Sequence, residues 1–161
     1  MRFLKSFRYA FRGIIYCINN ERNMRVHTVV ALYVFVFSFF FHLTRAEYGV
    51  LFLTFAQVIA AELFNTVAEE LSDFSAASFN PVVRIVKDMA SGGVLVGAVF
   101  SVAVGICLFW RPAVLAWLLR GLFFHPALLF LLLAVTAGAA FYIVLGPLGI
   151  RDFIKKRKIG K

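Results

Sequence analysis

The chain has 161 residues, of which 62% are hydrophobic and 17% aromatic, and its mean hydropathy is +0.88. A soluble domain is about 45–50% apolar, so the composition excludes a single water-soluble domain and favours a bundle of membrane helices. Seventeen Lys and Arg exceed eight Asp and Glu, which gives a formal charge of +9. In a soluble chain this balance would suggest nucleic acid as a partner. In a membrane protein it reports topology, and no nucleic-acid partner is expected.

The N-terminal segment, residues 1–25, is predicted to form an amphipathic helix in the membrane interface. Its apolar residues recur at helical spacing and its basic residues fall between them. A signal peptide would instead show an uncharged core of about 7–15 residues. The apolar positions are Phe3, Phe7, Phe11, Ile14, Ile15 and Ile18. The basic face of such a helix lies toward lipid headgroups or an anionic ligand.

The four longest stretches without a charged residue are 26–44, 48–61, 89–110 and 121–150. A spanning helix needs about 20 apolar residues, so the second stretch crosses only if its helix continues past Glu62. We therefore predict an all-α membrane protein with a core of three spans over residues 26–110. A fourth span is expected in the extension, residues 111–161.

The extension is predicted to contain three parts. Residues 113–124 are apolar but too short to cross, which indicates an interfacial or re-entrant helix. The fourth span is expected from about residue 126 to 145, ending before Gly146 and Pro147, which are typical of a helix stop. A basic tail follows and is expected on anionic lipid.

The distribution of basic residues predicts the orientation. With four spans and both termini in the cytoplasm, the inner side holds 14 basic residues and the outer side holds three, Arg45, Arg111 and Arg120. Three spans would leave the basic tail outside. The positive-inside rule therefore predicts a multi-pass protein of the cytoplasmic membrane with both termini inside.

A polar stripe follows the second apolar stretch. At about 100° per residue, Glu62, Asn65, Glu69 and Asp73 fall on one face of a helix, with apolar residues on the other side. The 14 residues before Glu62 rise only about 21 Å of a hydrocarbon core about 30 Å thick. Glu62 is therefore predicted at membrane depth, where an ionisable group is a functional candidate.

The residue types indicate the chemistry of this face. Carboxylates at helical spacing, without a His or Cys cluster, favour a hard cation such as Mg²⁺. Lys87 and Asp88 precede the small residues 91–93 at the opening of the third span, where phosphate could approach closely. The sequence has no P-loop and no soluble-kinase signature. We predict a site for Mg²⁺ and phosphate next to lipid.

Three segments together resemble the prokaryotic diacylglycerol kinase family: residues 21–27, 62–69 and 87–93. The pattern Glu-x-x-Asn-Thr-x-x-Glu and the Lys-Asp-Met element carry the resemblance, which covers about residues 2 to 110. Residues 21–25 are most similar to Gram-positive members, which act as undecaprenol kinases. The resemblance implies a small membrane lipid kinase that forms a homotrimer with active sites shared between subunits.

The resemblance also implies the role of each site residue. Glu62 corresponds to the general base and Asn65 to its polar partner. Glu21 and Glu69 correspond to carboxylates that bind Mg²⁺. The positions expected to contact ATP or the substrate are Arg2, Tyr9, Glu21, Glu69, Lys87 and Asp88. The preferred acceptor is undecaprenol, with diacylglycerol as the alternative.

Two features depart from the family pattern. The family usually has a His where this chain has Asn80, so the nucleotide contact of that His is in doubt here. The family core ordinarily ends near the third span, whereas this chain continues through residues 111–161. Two other classes stay open: a cation-coupled transporter that uses the same carboxylates as a relay, and an inactive membrane assembly protein.

Overall fold

The computed structural model describes residues 2–75 and 80–159, except for the side chains of residues 2 and 157–159. Every regular element in these ranges is helical, which confirms the all-α prediction. The elements are α1 (Arg2–Asn20), α2 (Arg22–Ser38), a 3₁₀ turn (Phe39–Phe41), α3 (Arg45–Ser75), α4 (Pro81–Phe109), α5 (Pro112–Phe124) and α6 (Pro126–Ile159).

Four stretches of the described residues are long and apolar enough to cross a membrane. They are Arg22–Phe41, Arg45–Ser75, Pro81–Phe109 and Pro126–Lys156. The four predicted spans are confirmed as helices of sufficient length. The second is long enough because its helix does continue past Glu62. Helix α5 has 13 residues and is too short to cross.

The chain divides into two compact units, each described by itself: Met1–Val29 with Leu122–Lys161, and Val30–Gly121. In the first unit, α1 contacts α6. Helix α1 is strongly amphipathic, and its apolar residues Phe3, Phe7 and Phe11 are exposed. Among the described side chains of α1, only Cys17 is buried. An exposed apolar face opposite basic residues is typical of a helix that rests on lipid.

In the second unit, α3 and α4 pack along each other as a hairpin. At the end of the hairpin away from residues 75–81, Thr44 and Glu47 form a capping box: Thr44 N donates to Glu47 Oε2 at 2.6 Å, and Glu47 N donates to Thr44 Oγ1 at 3.3 Å. Arg111 donates to Glu47 Oε1 at 2.6 Å and to the carbonyl of Phe41. The turn before α3 is therefore fixed to the turn after α4.

A small apolar core lies beside this ion pair. Its buried members are Phe41, Leu43, Leu51 and Leu108. Helix α5 packs against it through Val114, Leu115 and Leu118. Glu47 and Arg111 were counted in the sequence only as charges, whereas the structure makes them the polar contact that joins these turns.

In α6 the regular helix is interrupted at Gly146, whose φ and ψ are not helical, at the position where the sequence predicts a stop. A second helical segment begins at Pro147 and continues to Ile159. Gly146 has a φ of 66°, in the left-handed region that glycine enters without a steric penalty. Pro147 then supplies the φ angle of a new first helical turn. The first helical segment therefore ends where the sequence predicts, and the kink joins it to a second segment that the sequence analysis treated only as a basic tail.

Candidate functional site

The part of the polar face of α3 that holds Glu62 and Asn65 is turned toward the protein, whereas Asp73 near the end of the helix is exposed. The apolar face of α3 is turned outward. Glu62 is 0% exposed and Asn65 is 4% exposed. On the opposite face Phe64 is 74% exposed, and Val67 and Leu71 are also exposed. This arrangement reverses that of a soluble surface helix. It suits a helix in lipid, where polar groups face the protein interior and apolar groups face acyl chains.

A hydrogen-bonded chain joins three of the polar side chains in the hairpin. Asn65 Nδ2 donates to Glu69 Oε1 at 2.8 Å, one turn along α3. Ser91 Oγ on α4 donates to Asn65 Oδ1 at 3.3 Å. Both ends of the Asn65 amide are therefore bonded, which fixes its orientation and that of the Glu69 carboxylate. Ser91 was predicted only as a small residue at the start of the span.

One turn before Ser91, Lys87 lies on the same hairpin and binds α3. Lys87 Nζ donates to Asp73 Oδ1. Asp88 is exposed, and Arg84 Nε lies 3.9 Å from its Oδ2. The structure thus brings Lys87 to the polar stripe of α3 through Asp73. The predicted stripe included Asp73, but its pairing with Lys87 was not foreseen.

Three predicted site residues belong to the other unit. Tyr9 is 63% exposed on α1. Glu21 lies between α1 and α2 and is half-buried. Arg2 begins α1, but its side chain lies outside the described residues. The structure therefore links Asn65 and Glu69 to Ser91 of α4, with Glu62 on the same face of α3, and places Tyr9 and Glu21 in the other unit.

Asn80 has a structural role where the family usually has His. It is the N-cap of α4, with extended backbone, and its Oδ1 accepts from Val82 N at 2.9 Å. Pro81 follows at the first helical position, where its missing N–H costs nothing. Phe79, the residue before Asn80, lies outside the described residues. Asn80 therefore starts the helix that carries Lys87 and Ser91.

The predicted Mg²⁺ site is not marked by a cluster of acids. In residues 2–75 and 80–159, no group of three or more His, Cys, Asp or Glu side chains is placed to hold a metal ion. Glu69 offers carboxylate oxygen, whereas the Asn65 amide turns its nitrogen toward Glu69 and its oxygen toward Ser91. Carboxylate oxygen is a hard donor of the kind that Mg²⁺ prefers. The donor set is compatible with an ion that completes its shell with water and phosphate.

Comparison with known proteins adds an independent observation. The family model described as "Prokaryotic diacylglycerol kinase" matches residues 8–109. The chain belongs to this family. A diacylglycerol kinase of Synechocystis sp. is 38% identical over 110 residues, which cover 68% of this chain and 63% of that protein. The undecaprenol kinase of Bacillus subtilis is 35% identical over 108 residues, which cover 67% of this chain and 88% of that protein.

A further relative, a diacylglycerol kinase of Helicobacter pylori, is 29% identical over 99 residues, which cover 62% of this chain and 77% of that protein. The predicted family is therefore confirmed, and with it the class of membrane lipid kinase. The family match ends at Phe109, the last residue of α4. Helices α5 and α6 lie beyond it.

Proposed function

We propose that this chain transfers the γ-phosphate of ATP to the hydroxyl group of a membrane lipid at the cytoplasmic face of the inner membrane. The observation that carries the proposal is the buried carboxyl group of Glu62 on a membrane helix whose opposite face is apolar and exposed. A carboxyl group at membrane depth is costly, so its retention points to function. Membership of a lipid kinase family gives the class of reaction.

Glu62 is proposed as the general base. It accepts the proton of the lipid hydroxyl while the hydroxyl oxygen forms a bond to the γ-phosphorus. The bond between the γ-phosphorus and the β,γ-bridging oxygen breaks, and ADP leaves with that oxygen. Asn65 lies three residues further along α3, held by Glu69 and Ser91. Its fixed amide is proposed to keep the polar face in one arrangement during transfer.

Glu69 and Glu21 are proposed to hold Mg²⁺. Mg²⁺ is commonly bound by one or two carboxylates together with substrate phosphates, which agrees with the lack of a three-acid cluster in the described part of the chain. Glu69 accepts one hydrogen bond through Oε1, and a carboxylate has lone pairs for further partners. When bound, the ion would neutralise charge on the phosphates.

The nucleotide is proposed to contact Lys87 and Asp88 on α4 together with Arg2 and Tyr9 on α1. The ammonium of Lys87 is paired with Asp73 at the edge of the polar face, where a polyphosphate could exchange with that carboxylate. Tyr9 is well exposed and accessible to a ligand from solution. The family resemblance assigns Arg2 and Asp88 to the same ligand.

Undecaprenol is the proposed acceptor, and diacylglycerol is the alternative. The segment 21–25 supports undecaprenol by its resemblance to Gram-positive members, while relatives of both names are similar to this chain. The purified protein should be incubated in detergent with labelled ATP, Mg²⁺ and each lipid in turn. We expect faster transfer to undecaprenol. Faster transfer to diacylglycerol would reverse the substrate assignment, and no transfer to either would contradict the kinase proposal.

We also propose a homotrimer with shared active sites and both termini in the cytoplasm. The positive-inside distribution of basic residues supports the orientation. A single cysteine at Lys156, in a background without Cys17 and Cys107, tests it with a membrane-impermeant maleimide. Labelling should require permeabilised cells. Labelling of intact cells would contradict the orientation without bearing on the reaction.

A further inference from the structure

Arg25 joins the end of α1 to the kink of α6. Its side chain is buried, with 6% of the residue exposed. Nη1 donates to the carbonyl oxygens of Ile18 and Asn19, each at 3.0 Å, and Nε donates to the carbonyl oxygen of Ile143 at 2.9 Å. One guanidinium therefore holds backbone groups that are more than 100 residues apart in sequence.

These carbonyl groups need a donor from elsewhere. Ile18 and Asn19 lie in the last turn of α1, where the carbonyl groups of a helix have no partner in the helix itself. Ile143 would normally accept from the N–H four residues later, but that residue is Pro147, which has none. Arg25 supplies the missing donor at both places.

Gly146 makes room for the guanidinium. A Cβ atom at this position would lie 3.0 Å from Nη1 of Arg25 and 3.2 Å from its Cζ. The φ of 66° adds a conformational reason for glycine. Gly146 and Pro147 thus act together: the proline leaves a carbonyl without its helical donor, and the glycine lets the donor approach.

Along the chain, Glu21 lies between Asn19, whose carbonyl Arg25 binds, and Arg25 itself. Its backbone N–H donates to the carbonyl of Cys17 at 2.7 Å, and its own carbonyl accepts from Arg25 N at 3.4 Å. The last bond of α1 and the first bond of α2 therefore meet at Glu21. A contact that fixes the angle between these helices therefore also fixes the backbone of Glu21, from which its side chain extends.

We infer that helix α6, beyond the family match, positions Glu21, and that Arg25 is the positioning residue through which it acts. The inference rests on the proposed role of Glu21 in binding Mg²⁺. Arg25 binds α6 through the Ile143 carbonyl and the space at Gly146. Without this contact, the junction of α1 and α2 is no longer fixed to α6, and the carboxylate of Glu21 is positioned less precisely.

The first test measures the junction without activity. Cys17, in the last turn of α1, is 1% exposed, so its thiol should react slowly with a water-soluble maleimide in the intact Cys107→Ser protein. Gly146→Ala and Arg25→Lys should each speed labelling. Gly138→Ala is the control for α6, because a Cβ there meets nothing within 4 Å, and exposed Arg22→Lys is the control for α2. Unchanged labelling in Gly146→Ala and Arg25→Lys would overturn the inference.

The second test measures Mg²⁺ dependence. Loss of groups that orient a metal ligand commonly costs about 10- to 100-fold in metal affinity or activity. We expect Gly146→Ala and Arg25→Lys to raise the Mg²⁺ concentration for half-maximal lipid phosphorylation by about tenfold, with no such rise in either control. The double variant should need little more Mg²⁺ than either single variant, because both substitutions remove the same contact. Additive effects, or an unchanged Mg²⁺ requirement, would contradict the inference.

The two tests separate this inference from the proposed function. If the unmodified protein phosphorylates neither lipid, the kinase proposal fails, while Cys17 labelling still reports on the Arg25 contact. If the unmodified protein is active and both variants match their controls, the positioning role fails and the kinase proposal stands. Should Gly146→Ala not fold, Arg25→Lys retains the charge and provides the decisive comparison.

Discussion

At the scale of single residues, burial separates the acids of α3 more clearly than charge does. Glu62 is fully buried, Glu69 is half-buried and bonded to Asn65, and Glu70 is exposed. Helical spacing places Glu62 and Glu69 on one face and Glu70 off its centre, which agrees with the exposure of Glu70. The same spacing could not reveal that Ser91 would complete the bonds of Asn65, since that contact requires the α3–α4 register.

Glu62→Gln should abolish phosphate transfer while ATP binding survives. The amide has nearly the same shape as the carboxyl group but cannot accept the lipid proton, and loss of a general base typically costs about 10²- to 10⁴-fold. Transfer of labelled phosphate and equilibrium binding of ATP measure the two effects. Glu70→Gln, an exposed neighbour on the same helix, should keep near-normal turnover. Near-normal turnover in Glu62→Gln would remove its assignment as base.

Glu69→Gln should raise the Mg²⁺ requirement with less effect on the arrangement of Asn65. An amide oxygen can still accept from Asn65 Nδ2, but it lacks the negative charge that a hard cation prefers. Activity as a function of Mg²⁺ should shift to higher concentration and recover partly at saturation. A loss of maximal rate at every Mg²⁺ concentration, with no shift, would instead assign Glu69 to the transfer step.

At the scale of elements, periodicity predicted which helices exist, and glycine and proline predicted where the regular helix of α6 is interrupted. Charge-free runs gave four spans, and the helical spacing in 1–25 gave an amphipathic helix, which the structure places in α1. Gly146 and Pro147 predict a stop, because glycine readily adopts positive φ and proline has no backbone N–H to donate. The first helical segment ends there and a second one begins. The contact of Arg25 with the freed carbonyl of Ile143 joins residues that are distant in sequence, so local patterns could not predict it.

Substitutions at Asn80, at the start of α4, test whether this residue contacts the nucleotide, as the family His does, or only caps the helix. Asn80→Ala removes the N-cap and should destabilise the protein by about 0.5–2 kcal/mol. Asn80→Asp should restore stability because its carboxylate caps the helix equally well. Thermal unfolding in detergent measures both. The apparent affinity for ATP should be the same in all folded forms; a selective rise in the KM for ATP would show a nucleotide contact at Asn80.

At the scale of the whole molecule, the proposed catalytic groups come from two separate units. Glu21 and Tyr9 belong to Met1–Val29, whereas Glu62, Glu69 and Lys87 belong to Val30–Gly121. The proposed homotrimer with shared active sites would draw one set from one subunit and the other set from its neighbour. Closed rotational symmetry would then repeat the same mixed site around the assembly. The hydropathy pattern of one chain contains no information on this choice, which depends on contacts between copies.

Mixing two inactive variants distinguishes shared sites from sites within one subunit. At a limiting Mg²⁺ concentration, Glu21→Gln and Glu62→Gln should each be inactive alone. Suppose that each site takes Glu21 from one subunit and Glu62 from its neighbour in a closed ring. When the two variants are mixed in equal amounts, each of these residues is native with a probability of about one half, so about a quarter of the sites contain both native residues. Unfolding and reassembly of the mixed subunits in detergent should then restore about a quarter of the native rate. No recovery, with mixed assemblies verified by two affinity tags, would place each site within one subunit, because every chain would then carry one defect.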